Sequence, residues 1–177
     1  ASSKPLLEPV EAAAGRVILF VDGLRFDLAQ KLVADLKAEG KTYDLRWDWS
    51  AFPSVTDTGK PYVSPLASFF TGGGPEEEFA PSIAASTQIL NPDRFKKLLK
   101  ENGIQFLEGQ STGDPSGKAW AEVGSIDSHG HSEGWRVSKA INQEMMDLNL
   151  RIHDLLIAGW REILVVTDHG WLLVPGG

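Results

Sequence analysis

The chain has 177 residues, of which 42% are hydrophobic and 23% charged, and this is enough to bury the core of one globular domain. Its net charge of -7 at pH 7 disfavours a surface that gathers nucleic acid, so a phosphate-bearing substrate has to be attracted by a local group. The absence of cysteine excludes disulfides, thiolate nucleophiles and cysteine-ligated zinc, and no apolar stretch is long enough for a membrane span.

The two ends of the chain suggest how it is divided. Residues 1–15 lack the architecture of a signal peptide, and we expect them to form a tail or linker before a domain at residues 16–177. The closing residues Val174-Pro175-Gly176-Gly177 look cut, so we expect this domain to be truncated at its C-terminal end. We expect the protein to be cytoplasmic, without membrane contact.

Apolar runs and turn residues alternate along the chain in a way that predicts strands alternating with helices. Such alternation is typical of a three-layer α/β/α fold with a mostly parallel central sheet. In chain order the predicted elements are a strand at 16–23, a helix at 26–40, a strand at 43–52, a helix at 62–70, a loop at 71–82, a helix at 91–103, a strand at 104–108, a loop at 109–119, a long helix at 133–158 and a strand at 163–166.

The last strand, ILVV at 163–166, suits a position buried on both faces of the sheet, yet it is followed at once by Asp168 and His169. Ligands of open α/β sheets bind at the carboxyl ends of the strands, and aspartate and histidine are metal ligands. The first strand ends similarly at Asp22, although an Asp-Gly pair is also common in turns and helix caps. We therefore expect Asp22 and Asp168 to approach the same edge of the sheet.

Thr56 lies in the sequence FPSVTDTGKPY, at a predicted turn before the helix at 62–70. A hydroxyl at the start of a helix is commonly a cap. It becomes a nucleophile only if its pKa is lowered, and a metal ion does this without an adjacent base.

The densest group of candidate ligands is the sequence IDSHGHSEG at 126–134, which holds two of the four histidines in the chain. Asp127 and His131 are four residues apart across a glycine turn and can converge on one ion, whereas His129 more naturally points elsewhere. The alternative is that these residues belong to an ordinary surface loop.

Taken together, five motifs in this order resemble the alkaline phosphatase superfamily, and in motif terms they resemble its nucleotide pyrophosphatase/phosphodiesterase branch. The FPSVTDTGKPY turn and the compact size resemble one subgroup, the PglZ domain of bacterial anti-phage systems (BREX and phage growth limitation), which is also attached to some response regulators. The motifs are Asp22-Gly23-Leu24-Arg25, Pro53-Ser54-Val55-Thr56, Thr71-Gly72-Gly73-Gly74-Pro75, Asp127-Ser128-His129-Gly130-His131 and Asp168-His169-Gly170.

This resemblance implies an alkaline-phosphatase-like core with a two-metal site for phosphoryl transfer, most often loaded with Zn²⁺. Thr56 is then the nucleophile. The implied ligands are Asp22, Thr56, Asp168 and His169 for the first ion, and Asp127 and His131 for the second.

Two departures from the family pattern concern catalysis. The pyrophosphatase branch has an asparagine three residues after its nucleophile, which donates to the substrate phosphate, and this chain has Gly59 there. The next residue, Lys60, is a candidate charge donor: its positive charge would contact the phosphate in place of the asparagine. The superfamily also has a histidine well downstream of Asp168-His169-Gly170 as a third ligand of the second ion. Because the chain holds no histidine after His169, we expect the second site to be incomplete.

The function implied is that of a metal-dependent phosphodiesterase, pyrophosphatase or phosphatase, acting on phosphate esters derived from nucleotides or nucleic acid. Its partners would include other proteins of a defence system. The alternative is a catalytically inactive domain that serves as a scaffold in a defence complex. Metal content and metal-dependent hydrolysis separate these two hypotheses.

Overall fold

The computed structural model describes residues 10–72, 79–124 and 137–170, with the backbone alone for 137–140. A 3-10 turn at Ala67–Phe69 accompanies the regular elements. In chain order these are β1 (Arg16–Val21), α1 (Phe26–Ala38), α2 (Thr56–Tyr62), β2 (Phe70–Thr71), β3 (Ser82–Ile83), α3 (Pro92–Glu101), β4 (Ile104–Leu107), β5 (Lys118–Val123), α4 (Val137–Ile157) and β6 (Glu162–Val166).

Four strands form a parallel sheet in the order β4-β5-β1-β6, and β2 and β3 form a small antiparallel hairpin. In the register of the sheet, Phe20 of β1 lies between Glu122 of β5 and Val166 of β6. Because all four strands run in the same direction, their carboxyl ends share one edge. The predicted α/β fold with a parallel sheet is confirmed.

Helices cover both faces of this sheet, and successive residues of β1 point into two separate hydrophobic clusters. Val17, Leu19 and Val21 join the cluster that contains the apolar stripe of α4, and Leu32 of α1 belongs to it as well. Ile18 and Phe20 join the other cluster, which includes α3. Such alternation is what a strand buried on both faces requires, because side chains alternate along it. β1 is therefore fixed in the centre of the core.

Several elements lie where the sequence predicts them, because local signals set their ends. Asn91 caps α3 by accepting a hydrogen bond from the backbone N–H of Arg94 at 2.9 Å. Gly103 ends the same helix with a φ of 68°, a conformation that favours glycine. β1, α1, β4 and α4 are confirmed in the same way within the described residues.

The strand predicted at 43–52 is wrong, because residues 41–51 form no strand and residues 41–50 are all exposed. Alternation specifies a strand only where one of its two faces is buried. Here Trp47 and Trp49 are 72% and 77% exposed. The apolar side chains of residues 43–50 therefore have no core to face, and only Ala51, next to this stretch, is buried.

The helix predicted at 62–70 is also misplaced, since α2 spans Thr56–Tyr62 and the apolar segment after it contains the 3-10 turn and the first residue of β2. The first and last residues of the loop predicted at 71–82, Thr71 and Ser82, are paired strand residues of the β2–β3 hairpin. The loop predicted at 109–119 ends early, because β5 begins at Lys118. β5 itself has no counterpart among the predicted elements.

The strand at 163–166 is present within β6 but is not buried on both faces as predicted. Its four apolar residues are half-buried. The reason is its position, because β6 lies at one edge of the sheet that the described strands form. Among the described residues, no helix combines the length and the apolar character that crossing a membrane requires.

Candidate metal centre

The turns that follow β1 and β6 run side by side at the carboxyl edge of the sheet. Phe20 and Val166 are paired in the register, and Asp22 and Asp168 each follow two residues later. Thr167 ties the two turns together. Its Oγ1 accepts a hydrogen bond from the backbone N–H of Leu24 at 3.0 Å and lies 3.2 Å from the carbonyl oxygen of His169, to which it donates. Parallel strand pairing thus brings together two acids that are far apart in the chain.

Three candidate ligands meet at this edge. One ligand atom from each of Asp22, Asp168 and His169 lies within 4.8 Å of the other two. The Nδ1 atom of His169 is 2.9 Å from Oδ1 of Asp168 and 3.8 Å from Oδ1 of Asp22. These separations allow all three side chains to bind one cation.

Thr56 joins the cluster through its hydroxyl, which donates a hydrogen bond to Oδ1 of Asp22 at 3.0 Å. It is the first residue of α2, whose N-cap is Val55. Its hydroxyl therefore does not act as the helix cap that the sequence left open. Asp22 is likewise not the cap of α1, because that position is Arg25. The structure thus brings together the four residues predicted for the first ion.

The carboxylate of Asp168 is the most buried group of the cluster. Its side chain is 0% exposed, and neither of its oxygens has a hydrogen-bond partner in the described part of the chain. The approach of His169 Nδ1 to Oδ1 at 2.9 Å lacks hydrogen-bond geometry. An ionised carboxylate in such a place is costly unless a positive charge compensates it. The residues present therefore fit a bound cation.

Lys60, the predicted charge donor, is held by other groups. Its Nζ lies 2.7 Å from Oε2 of Glu122 on β5 and 5.3 and 5.6 Å from the ring centroids of Phe20 and Phe95. The Oε1 atom of Glu122 accepts a hydrogen bond from Nε1 of Trp120 at 2.9 Å. Lys60 thus connects α2 to β5, the strand next to β1, through these contacts.

Charges next to the cluster are arranged in local pairs. Arg25 donates two hydrogen bonds to Asp27, at 3.0 and 2.8 Å, and the hydrogen bond from this guanidinium is the main reason that the pKa of Asp27 is lowered.

Burial raises the pKa of Tyr62 at the end of α2, so this phenol stays neutral near pH 7.

The candidates for the second ion, Asp127 and His131, lie outside the described residues, as does His129. The strand before them is described as far as Val123 and ends at the same edge of the sheet as β1 and β6. Their convergence on a second ion therefore stays a prediction.

Sequence reasoning missed Thr167 and Glu122, which position the candidate residues. Thr167 had a signal, because it stands between an apolar strand and the acid of a TDHG motif. Glu122 belongs to β5, the strand that the predicted elements omit. Comparisons with protein-family models, with curated proteins and with solved structures find no match for this chain.

Proposed function

We propose that this domain is a metal-dependent phosphoryl-transfer hydrolase with an alkaline-phosphatase-like core and Thr56 as nucleophile, and that it is a PglZ-like domain of a defence protein. The observation that carries the proposal is the convergence of Asp22, Thr56, Asp168 and His169 from three separate stretches of the chain. Their order and spacing in the sequence resemble the motifs of that superfamily.

In this proposal the first cation is held by the carboxylates of Asp22 and Asp168, the imidazole of His169 and the oxygen of Thr56. Carboxylate and imidazole donors suit Zn²⁺, although other divalent ions share them. The bound ion would lower the pKa of the Thr56 hydroxyl and offset the negative charge of a phosphate ester. Asp127 and His131 are proposed for a second ion.

In the proposed reaction, Thr56 is the nucleophile and Asp22 accepts its proton. The Thr56 oxygen attacks phosphorus, and the bond from phosphorus to the leaving oxygen breaks, which gives a phosphothreonine that water later hydrolyses. The hydroxyl already donates to Asp22 Oδ1, so this carboxylate is the acceptor in place for the proton. Asp22 also fixes the direction in which the hydroxyl points.

Lys60 enters the proposal as a charge donor only if a substrate phosphate replaces Glu122 as its partner. The two side chains are 2.7 Å apart and partly exposed, at 23% and 33%. An anion that reaches Lys60 therefore competes with a carboxylate already in contact. The substrate class proposed is a phosphate ester derived from a nucleotide or from nucleic acid.

Substitution of Thr56 tests the proposal directly. We expect Thr56→Ala to reduce hydrolysis of bis(4-nitrophenyl) phosphate on the order of 1000-fold or more, because the attacking oxygen is lost. Zinc binding should largely remain, since two carboxylates and an imidazole still hold the ion. The assay is run with added Zn²⁺, and calorimetry measures binding.

The matched control is Thr56→Ser, which keeps a hydroxyl at the same position. It should retain measurable zinc-dependent activity. Full activity of Thr56→Ala would contradict the nucleophile assignment, and hydrolysis by water or by Ser54 or Thr58 would then have to be considered.

A scaffold without catalytic activity is the second candidate, and exposed aromatic residues favour it. Trp47, Trp49 and Phe52 are each more than 70% exposed within one short segment. Exposed aromatic surface of this kind is enriched where proteins bind one another. If the domain binds zinc and yet hydrolyses no phosphodiester under any metal condition, the scaffold hypothesis is supported instead.

A further inference from the structure

We infer that Gly59 is a positioning residue for the candidate metal centre, because the absence of a side chain there lets α2 close over the carboxylate of Asp168. This inference rests on the proposed function. It concerns a residue that would bind neither the cation nor the substrate.

The contact between Gly59 and Asp168 is tighter than any side chain allows. A Cβ atom placed on Gly59 would lie 2.6 Å from Cβ of Asp168 and 3.2 Å from its Oδ2. Real Cβ atoms essentially never approach another heavy atom within 3.0 Å. The nearest atom is the first carbon of the Asp168 side chain, so rotation of that side chain cannot relieve the clash.

Backbone conformation does not account for glycine at this position. Gly59 lies inside α2, where its N–H donates to the carbonyl of Val55 at 2.8 Å and its carbonyl accepts from Val63 at 3.1 Å. Glycine is less favourable than alanine in the interior of a helix. The close approach of α2 to Asp168 is therefore the feature that requires glycine.

Both sides of this contact are anchored, which prevents an easy shift. On α2, Thr58 donates a hydrogen bond to the carbonyl of Phe79 at 2.7 Å, and Lys60 is paired with Glu122 at 2.7 Å. On the other side, the turn of Asp168 is tied to the first strand through Thr167. A side chain at position 59 therefore has to displace either the helix with Thr56 or the carboxylate.

The consequence is a carboxylate that is sealed from water. The Asp168 side chain is 0% exposed, so water does not solvate its oxygens. No described residue donates a hydrogen bond to them either, so a cation could bind them without displacing a protein donor. A displaced α2 would admit water to Asp168 and move Thr56 away from Asp22. Gly59 thus acts on the site through the helix that it allows to approach.

Zinc binding by Gly59→Ala tests this role, with Gly170→Ala as the matched control. Among the described residues, a Cβ at Gly170 meets only ordinary contacts, the nearest being Cγ of Arg25 at 3.7 Å. Calorimetry with the full chain and Zn²⁺ alone should show an affinity at least about tenfold lower for Gly59→Ala, as for other changes that misplace metal ligands. The control should bind like the unchanged chain, and circular dichroism should show both variants folded.

A second measurement keeps the test valid if Gly59→Ala is less stable. In a chelator, Gly59→Ala should lower the Tm when Asp168 is present. The same change should raise or maintain the Tm in an Asp168→Gly background, where the clashing carbon is gone and alanine favours the helix.

The outcomes separate the two proposals. Normal zinc affinity of Gly59→Ala would refute the positioning role and leave the proposed function intact. Failure of the unchanged chain to bind zinc would refute both.

Discussion

At the scale of single residues, the candidate centre depends on one buried carboxylate that accepts no hydrogen bond from the described residues. Asp168 is completely buried, and none of the described residues donates a hydrogen bond to it. Buried charges in proteins are paired or bind metals, because a lone one costs several kcal/mol. The sequence predicted Asp168 as a ligand from its place after a strand, but its burial depends on α2, which the sequence misplaced.

The variant Asp168→Asn tests two effects of this carboxylate, its contribution to zinc binding and its cost to the free energy of unfolding. We expect zinc affinity to fall on the order of 100-fold or more, because a ligand is lost. In a chelator we expect the free energy of unfolding to rise, by about 1–3 kcal/mol, because a neutral amide replaces a buried carboxylate that accepts no hydrogen bond from the described residues. Calorimetry and urea unfolding give the two quantities.

Asp57→Asn is the control for this prediction, since Asp57 is exposed and lies in the first turn of α2. It should leave zinc affinity unchanged. A loss of stability in Asp168→Asn without zinc would contradict the account, because it would mean that the carboxylate is already compensated by the protein.

At the scale of elements, local signals predicted some segments well and others poorly for identifiable reasons. α3 was predictable because Asn91 and Gly103 mark its ends. α2 was not, because Gly59 and Pro61 are poor helix formers. The strand β5 was missed because it follows a long run of turn residues and its core residues include two alanines, Ala119 and Ala121, which are depleted in strands.

The ion pair between Lys60 and Glu122 is expected to hold α2 in place, which a double-mutant cycle can measure. We expect Lys60→Met and Glu122→Gln to show a coupling energy of about 1 kcal/mol in urea unfolding, because both side chains are only partly exposed, at 23% and 33%. Lys96 and Glu108 form a matched pair at 2.9 Å that is more exposed, and their coupling should be smaller. Equal couplings for the two pairs would contradict a special role of Lys60 in docking α2.

At the scale of the whole molecule, the α/β class and the shared edge of the parallel strands were predictable from apolar runs that end in acids. Asp22 and Asp168 meet there because β1 and β6 pair in parallel. The sequence did not reveal that β6 lies at the edge of the described sheet or that residues 43–50 lie outside the core. Both depend on which strands become neighbours, and this is decided by contacts distant in sequence.

Substitution of one buried and one exposed tryptophan tests which residues belong to the core and which to the surface. Trp120 is 0% exposed and its ring centroid lies 5.5 Å from that of Phe95, whereas Trp49 is 77% exposed. We expect Trp120→Ala to reduce the free energy of unfolding by about 3–5 kcal/mol. Trp49→Ala should change it by less than about 0.5 kcal/mol. Comparable losses for both variants in urea unfolding would show that residues 43–50 pack in the core after all.

The central claim is that Asp22, Thr56, Asp168 and His169 hold a divalent cation, and crystals soaked in Zn²⁺ test it most directly. Anomalous scattering at the zinc absorption edge locates the ion independently of any activity. The account predicts a peak at the carboxyl edge of β1 and β6, at about 2.0–2.2 Å from oxygens of Asp22 and Asp168 and a nitrogen of His169. A fully soaked crystal with no peak there, or with zinc only at other residues, would contradict it.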